Sequence, residues 1–262
     1  MLEAIKTELE NRGYVVNVTE VVKNSVTFTG LTVGKVDLKI VPTIYEDSRW
    51  ESMSVSEIAD EIDDILNNSS APDIDVNKLT DPEYLKDNVY LCIQRKGSES
   101  ILKDDYLDLE VYVRCKINDN ASFKVPCSIG SDGLLEAAIE NTRSTFLIRE
   151  MSEFLSEMMG VPKEFLCGEN FMWVVTNKSK CNAAACLYYP ELFKRFCNDH
   201  NINGCWILPS SIHEVLVIPV DNGCKCELDQ MVSEVNGTEV KPEERLSDHA
   251  YYYSLEDNRI TY

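Results

Sequence analysis

Residues 205–220 read CWILPSSIHEVLVIPV: two apolar runs, Trp206–Leu208 and Val215–Ile218, around a polar centre of Pro209, Ser210, Ser211, His213 and Glu214. Short runs rich in β-branched residues suit buried strands, and the centre must then be a tight connection at the end of a sheet. Downstream, Leu228, Met231, Val232 and Val235 recur at helical spacing between Asn222-Gly223 and Asn236-Gly237, and Tyr251–Tyr253 and Arg259–Thr261 pair about Asp257-Asn258. Upstream, strands are expected at Met172–Val175 and Ala183–Tyr188, separated by Asn177-Lys178-Ser179, and Pro190 takes the first position of a helix carrying Leu192, Phe193, Phe196 and Cys197. A helix with Met151, Phe154, Leu155, Met158 and Met159 stops at Gly160. That stop divides an N-terminal α+β region, residues 1–160, from a C-terminal one, residues 161–262, which can pack as one domain.

The front of the chain reads as a helix (Leu2, Ile5, Leu9) followed by three strands, 14–22, 26–33 and 36–44, with Asn24-Ser25 and Gly34-Lys35 at the turns. Ser54 and Glu57 have the capping-box spacing, and Ile58, Ala59, Ile62, Ile65 and Leu66 continue a helix whose other side carries Glu57, Asp60, Glu61, Asp63 and Asp64. Residues 67–75, NNSSAPDID, have linker composition. Strands at 89–94 and 107–117 follow. The second alternates Leu107, Leu109, Val111, Val113, Cys115 and Ile117 with Asp108, Glu110, Arg114 and Lys116, and Asn118-Asp119-Asn120 turns it into Phe123, Val125, Cys127 and Ile129. Ser131 is placed to cap the helix of Leu134, Leu135, Ala138 and Ile139. The fold class is α+β, with mainly antiparallel sheets and flanking helices.

Forty-five Asp and Glu face 25 Lys and Arg, a net charge of −20. Such a surface repels phosphate backbones and anionic lipid, so direct nucleic-acid or membrane binding is not expected, and a basic protein partner is. Glu57, Asp60 and Glu61 are the carboxylates expected to meet it. The first residues carry no apolar signal core and no run approaches a membrane span, so a cytoplasmic protein with its 10 cysteines as reduced, packed thiols is expected.

For chemistry, Ser211 and His213 share a face if extended, and Glu214 points away from them. They define a hydrolase reading, against that of a polar turn satisfying backbone groups. Cys224-Lys225-Cys226, and Cys181 with Cys186, invite a metal reading with His200 and His213, but no paired Cys-x-x-Cys or Cys-pair with His-pair spacing occurs, so no metal is expected. The absence of a Walker loop or Gly-x-Gly-x-x-Gly leaves no cofactor to expect. His249, the third of three histidines, follows Asp248 before the tyrosine run.

The segments MWVVTNKSKCNAAACLYYPELFKRF from Met172, CWILPSSIHEVLVIPV from Cys205 and MVSEVNGTEVKPEERLSDHAYYY from Met231 resemble an uncharacterised family, of unknown function, found mainly in anaerobic gut bacteria. LTVGKVDLKIVPTIYE and YLDLEVYVRC extend the likeness forward. The resemblance implies a bacterial cytoplasmic protein, sometimes associated with mobile elements, and marks 208–214 and 236–253 as parts of the pattern, while Cys181, Cys205, Cys224 and Cys226 lie outside it. The functional expectation is a non-enzymatic interaction or regulatory protein that binds or inhibits a basic, nucleic-acid-binding partner; the alternative is a small-molecule or peptide hydrolase centred on Ser211 and His213, the same two residues that, with Ser210 and Glu214, would line a binding site.

Overall fold

The structure of the chain, a computed structural model, describes residues 1–35, 41–68, 75–118, 121–130, 132–162, 165, 172–209 and 211–262. It divides into two compact units, Met1–Asp75 and Val76–Tyr262. The division falls at the end of the linker-like stretch 67–75, and Gly160 lies inside the second unit.

The first unit holds α1 (Leu2–Asn11), β1 (Val15–Lys23), β2 (Val26–Gly34), β3 (Thr43–Tyr45) and α2 (Val55–Asn68), with the strands in the antiparallel order β1-β2-β3. Asn24 and Ser25 both have positive φ, +48° and +65°, so the β1–β2 turn is the two-residue type that matches strand twist. Of the third expected strand, residues 36–40 lie outside the described residues. The helices bury Ile5, Leu9, Ile58, Ala59 and Ile62 against Val16, Leu31, Val33 and Trp50. The capping box forms as the spacing requires: Ser54 N–H donates to Glu57 Oε2 at 2.8 Å and Glu57 N–H to Ser54 Oγ at 3.3 Å.

The second unit has two antiparallel sheets. One contains β4 (Val89–Arg95), β5 (Lys103–Tyr106), β6 (Leu109–Asn118) and β7 (Ala121–Lys124), with β6 pairing all three of the others. The other has the order β13-β12-β10-β11-β9-β8, from β8 (Phe146–Glu150), β9 (Trp173–Asn177), β10 (Gly204–Leu208), β11 (Val215–Pro219), β12 (Tyr251–Ser254) and β13 (Arg259–Thr261). Because β8 before Gly160 bonds β9 after it, residues on both sides of that glycine build one sheet. Helices α3 (Pro82–Asn88), α4 (Leu134–Arg143), α5 (Met151–Met159), α6 (Pro190–His200) and α7 (Lys225–Thr238) flank the sheets. The apolar faces of β4 and β6, with α4 and α6, share one core with Val175, Cys205, Ile207, Val215, Val217, Tyr251 and Tyr253 of the larger sheet.

Two expectations are corrected, and one charge proves buried. Residues 183–188 are not a strand but a 3₁₀ helix with Ala183, Ala184, Ala185, Cys186 and Leu187 buried. Three alanines have little strand preference, and their small side chains let a tight helix run through the core. Leu107 is not in a strand: it has φ +56° and lies in the turn between β5 and β6. The face of β6 that carries its charges is not solvated at Glu110, whose side chain is 3% exposed and accepts from Lys103 Nζ (2.8 Å) and Gln94 Nε2 (2.7 Å), so that its charge is compensated. The expected cap Ser131 and the turn residues Asp119 and Asn120 lie outside the described residues.

Candidate functional site

The 205–220 stretch forms the expected hairpin, with Trp206 opposite Ile218 and Leu208 opposite Leu216, and its polar centre is the loop at one end of the sheet. Two other segments are tied to that loop by backbone bonds. Ala183 N–H donates to His213 O at 2.9 Å and Ala184 N–H to Ile212 O at 3.2 Å; Ile212 N–H donates to Glu244 O at 2.9 Å, beside a bridge between Ser211 and Arg245. These ties bring together Cys181, His213 and Glu244, which are far apart in sequence.

Cys181 stands four residues past β9 on a turn tied by one side chain. Asn177 Oδ1 accepts from Cys181 N–H (3.2 Å) and Ser179 Oγ (2.8 Å), and Asn177 Nδ2 donates to Cys181 O (2.8 Å). Its two neighbours both adopt left-handed backbone, Lys180 at φ +52° and Asn182 at φ +57°. That geometry is unfavourable for a lysine, and such local cost concentrates where a side chain must be presented for function. The half-buried thiol accepts from Asn182 Nδ2 at 3.3 Å.

The His213 imidazole lies between thiol and carboxylate. Its Nδ1 accepts from Asn182 N–H at 3.4 Å, and its Nε2 faces Glu244 Oε1 at 3.7 Å. These contacts assign the proton to Nε2 and make Nδ1 the acceptor. The hydrogen bond with His213 holds the Cys181 thiol below the usual thiol value, against the opposing effect of burial, and the Arg114 charge adds to it. The same bond, assisted by Glu244, raises His213 above the usual imidazole value. A low thiol beside a high imidazole is the condition for a thiolate–imidazolium pair. Among the described residues no three His, Cys, Asp or Glu side chains are grouped to hold a metal.

The remaining candidates have the following places. Ser211 Oγ accepts from the backbone N–H of His213 at 3.0 Å. Glu214 Oε1 accepts from Thr176 Oγ1 at 2.9 Å. Ser210 lies outside the described residues. In the first unit, Glu57 is engaged by Ser54, Asp60 Oδ1 pairs with Arg12 at 2.8 Å and Glu61 Oε1 with Arg49 at 3.0 Å. The three carboxylates thus already have partners. Cys186 is fully buried, and Cys224 and Cys226 are exposed at the start of α7. A cleft of about 300 Å³ between β8 and α6, lined by Trp173, Arg195 and His200, begins at the far end of β9 from Cys181. Sequence reasoning missed Glu244 and the partnership of Cys181 with His213; the turn residues around Cys181 were the available signal.

The fold and site define an α+β protein of two compact units, the second carrying a thiol–imidazole–carboxylate row. The chain belongs to the family of unknown function DUF5688, whose model matches residues 1–255 and so reaches into both units. No curated protein and no solved structure matches it. Among the described residues no helix is long and apolar enough to cross a membrane.

Proposed function

We propose that the protein is a thiol-dependent acyl hydrolase acting on a small molecule or peptide, with Cys181 as nucleophile, His213 as general base and acid, and Glu244 as the group that orients the imidazole. One observation carries the reading: Cys181, His213 and Glu244 meet at one sheet end, where Asn182 bonds both the half-buried sulfur and His213 Nδ1 while Nε2 faces the Glu244 carboxylate. In the reaction His213 takes the thiol proton and the sulfur attacks the acyl carbon. The leaving group departs with that proton, leaving a Cys181 thioester. Water, deprotonated by His213, then cleaves the thioester, releasing the acid and restoring the thiol. A bacterial cytoplasmic setting, which keeps thiols reduced, belongs to the same reading.

A second reading, an acidic protein docking on a basic partner, is favoured by the net charge of −20. The internal partners of Glu57, Asp60 and Glu61 move such a surface away from that helix face.

The test uses p-nitrophenyl acetate with the full chain. A burst of p-nitrophenol equal to the protein concentration is expected, absent from Cys181→Ala and slowed at least about tenfold in His213→Ala, a positioned general base being worth about a hundredfold or more. A burst that persists in Cys181→Ala, or none in the natural chain, rejects the nucleophile.

A further inference from the structure

Asn182 bonds both reacting groups of the proposed site. Its backbone N–H donates to His213 Nδ1 at 3.4 Å, and its side-chain Nδ2 donates to Cys181 Sγ at 3.3 Å. The residue opens the buried 3₁₀ run with left-handed backbone, φ +57° and ψ 24°. Asparagine is among the few side chains that tolerate this conformation, but glycine alone would meet the backbone requirement. Asparagine is also a favoured cap of helix starts, where its oxygen accepts from the first turn. Asn182 makes no such cap bond. Its carboxamide turns to the sulfur instead, and that is the side chain's only hydrogen bond among the described residues. A neutral thiol is a weak acceptor, so this half-buried donor is poorly satisfied at rest. An oxyanion is a strong acceptor. When the sulfur bonds an acyl carbon, the carbonyl π pair moves to an oxygen two bonds from the sulfur, within reach of a donor placed 3.3 Å from it. A donor that gains most from charge absent in the ground state lowers the barrier to reaction.

We infer that the Asn182 carboxamide is a catalytic group of the acyl transfer, donating through Nδ2 to the oxyanion that forms when Cys181 attacks. The inference rests on Cys181 being the nucleophile. Collapse of the adduct returns the electron pair to the C=O bond, expels the leaving group with the proton held by His213 and frees Nδ2. At rest the backbone N–H of the same residue holds the imidazole beside the sulfur.

Two reactions of the same thiol, measured on the full chain at pH 7, separate this role from a general effect on Cys181. Iodoacetamide alkylation forms a C–S bond with loss of iodide and passes through no oxyanion; the p-nitrophenyl acetate burst passes through one. Asn182→Gly removes the carboxamide and keeps the left-handed backbone. It is expected to slow the burst about a hundredfold, the loss of one oxyanion donor. Alkylation of Cys181, followed on its own peptide by mass spectrometry, should slow no more than about tenfold, the loss of one hydrogen bond to the thiolate. The burst-to-alkylation rate ratio therefore falls at least about tenfold. Asn182→Ala should lower the ratio likewise, and it serves if Asn182→Gly does not fold. An unchanged ratio, whether both rates fall together or neither falls, overturns the oxyanion role while leaving the nucleophile standing. A burst that persists in Cys181→Ala overturns the nucleophile and this inference with it.

Discussion

Two histidine–carboxylate pairs occur in the second unit, and they have opposite characters. His249 Nε2 meets Asp108 Oδ2 at 3.0 Å, its Nδ1 meets Ala250 O at 3.3 Å, and Tyr251 donates its hydroxyl to Asp108 Oδ1 at 2.6 Å. Tyr262 stacks on the same imidazole, with ring centroids 5.3 Å apart. Every hydrogen-bonding position of that ring is taken, and the pair fastens the β5–β6 turn to β12. His213 has a looser carboxylate, at 3.7 Å, and its other nitrogen accepts only a long bond, 3.4 Å, from Asn182 N–H beside Cys181. What meets the second ring nitrogen decides whether the pair is a fastening or a proton-transfer device; the residue types alone do not.

The contrast is broken most forcefully at Asp108. Asp108→Ala leaves the Tyr251 hydroxyl and the His249 ring without their acceptor, and should cost about 2–4 kcal/mol in urea unfolding, as expected for orphaned, partly buried polar groups. Alkylation of Cys181 in the folded variant should not change. A variant as stable as the natural chain would show that the pair fastens nothing.

A smaller effect separates the two pairs by pH. The hydrogen bond to Asp108 raises His249 above its ordinary 6.5, so the stability it contributes is complete below 6.5 and is lost as pH rises through the raised value. Burial pushes Asp108 up, but its bonds from His249 and Tyr251 outweigh that and leave it below 3.8; its contribution is present above 3.8 and is lost as pH falls through the lowered value. The Asp108–His249 contribution is therefore greatest between about pH 4 and 6.5, the interval those two ordinary values bound. The difference in stability between the natural chain and His249→Ala should peak there and shrink by pH 8; a difference that grows towards pH 8 would contradict the pairing.

The smallest effect sharpens the other side. Glu244→Gln keeps the shape beside His213 but removes the charge, and should slow iodoacetamide alkylation of Cys181 at pH 7 about threefold, as befits a half-exposed pair at 3.7 Å. An unchanged rate would remove Glu244 from the row.

Much of the fold was written in local pattern. Asn24-Ser25, the Ser54–Glu57 box, Pro190 at the first position of α6 and the β10–β11 hairpin each depend on residues within a few positions of one another, and each formed as read. What escaped depended on distant partners. The short strands β5 and β8 are specified by pairing with β6 and β9 more than by their own alternation. The same holds for the candidate site. His213 was legible as a polar residue at a sheet end, and Cys181 as a cysteine in a turn. Their meeting depends on Ala183 and Ala184 bonding residues 213 and 212, and Glu244 arrives through Ile212, contacts that no periodicity encodes.

The buried 3₁₀ run at 183–188 has a consequence for time as well as for place. It begins at the residue after Asn182 and threads the shared core, so the turn presenting Cys181 is moored at one end to a segment that opens only when the core does. The lifetime of Cys181 in position is then tied to that of the native state, set more by the unfolding rate than by the excursions of a surface loop.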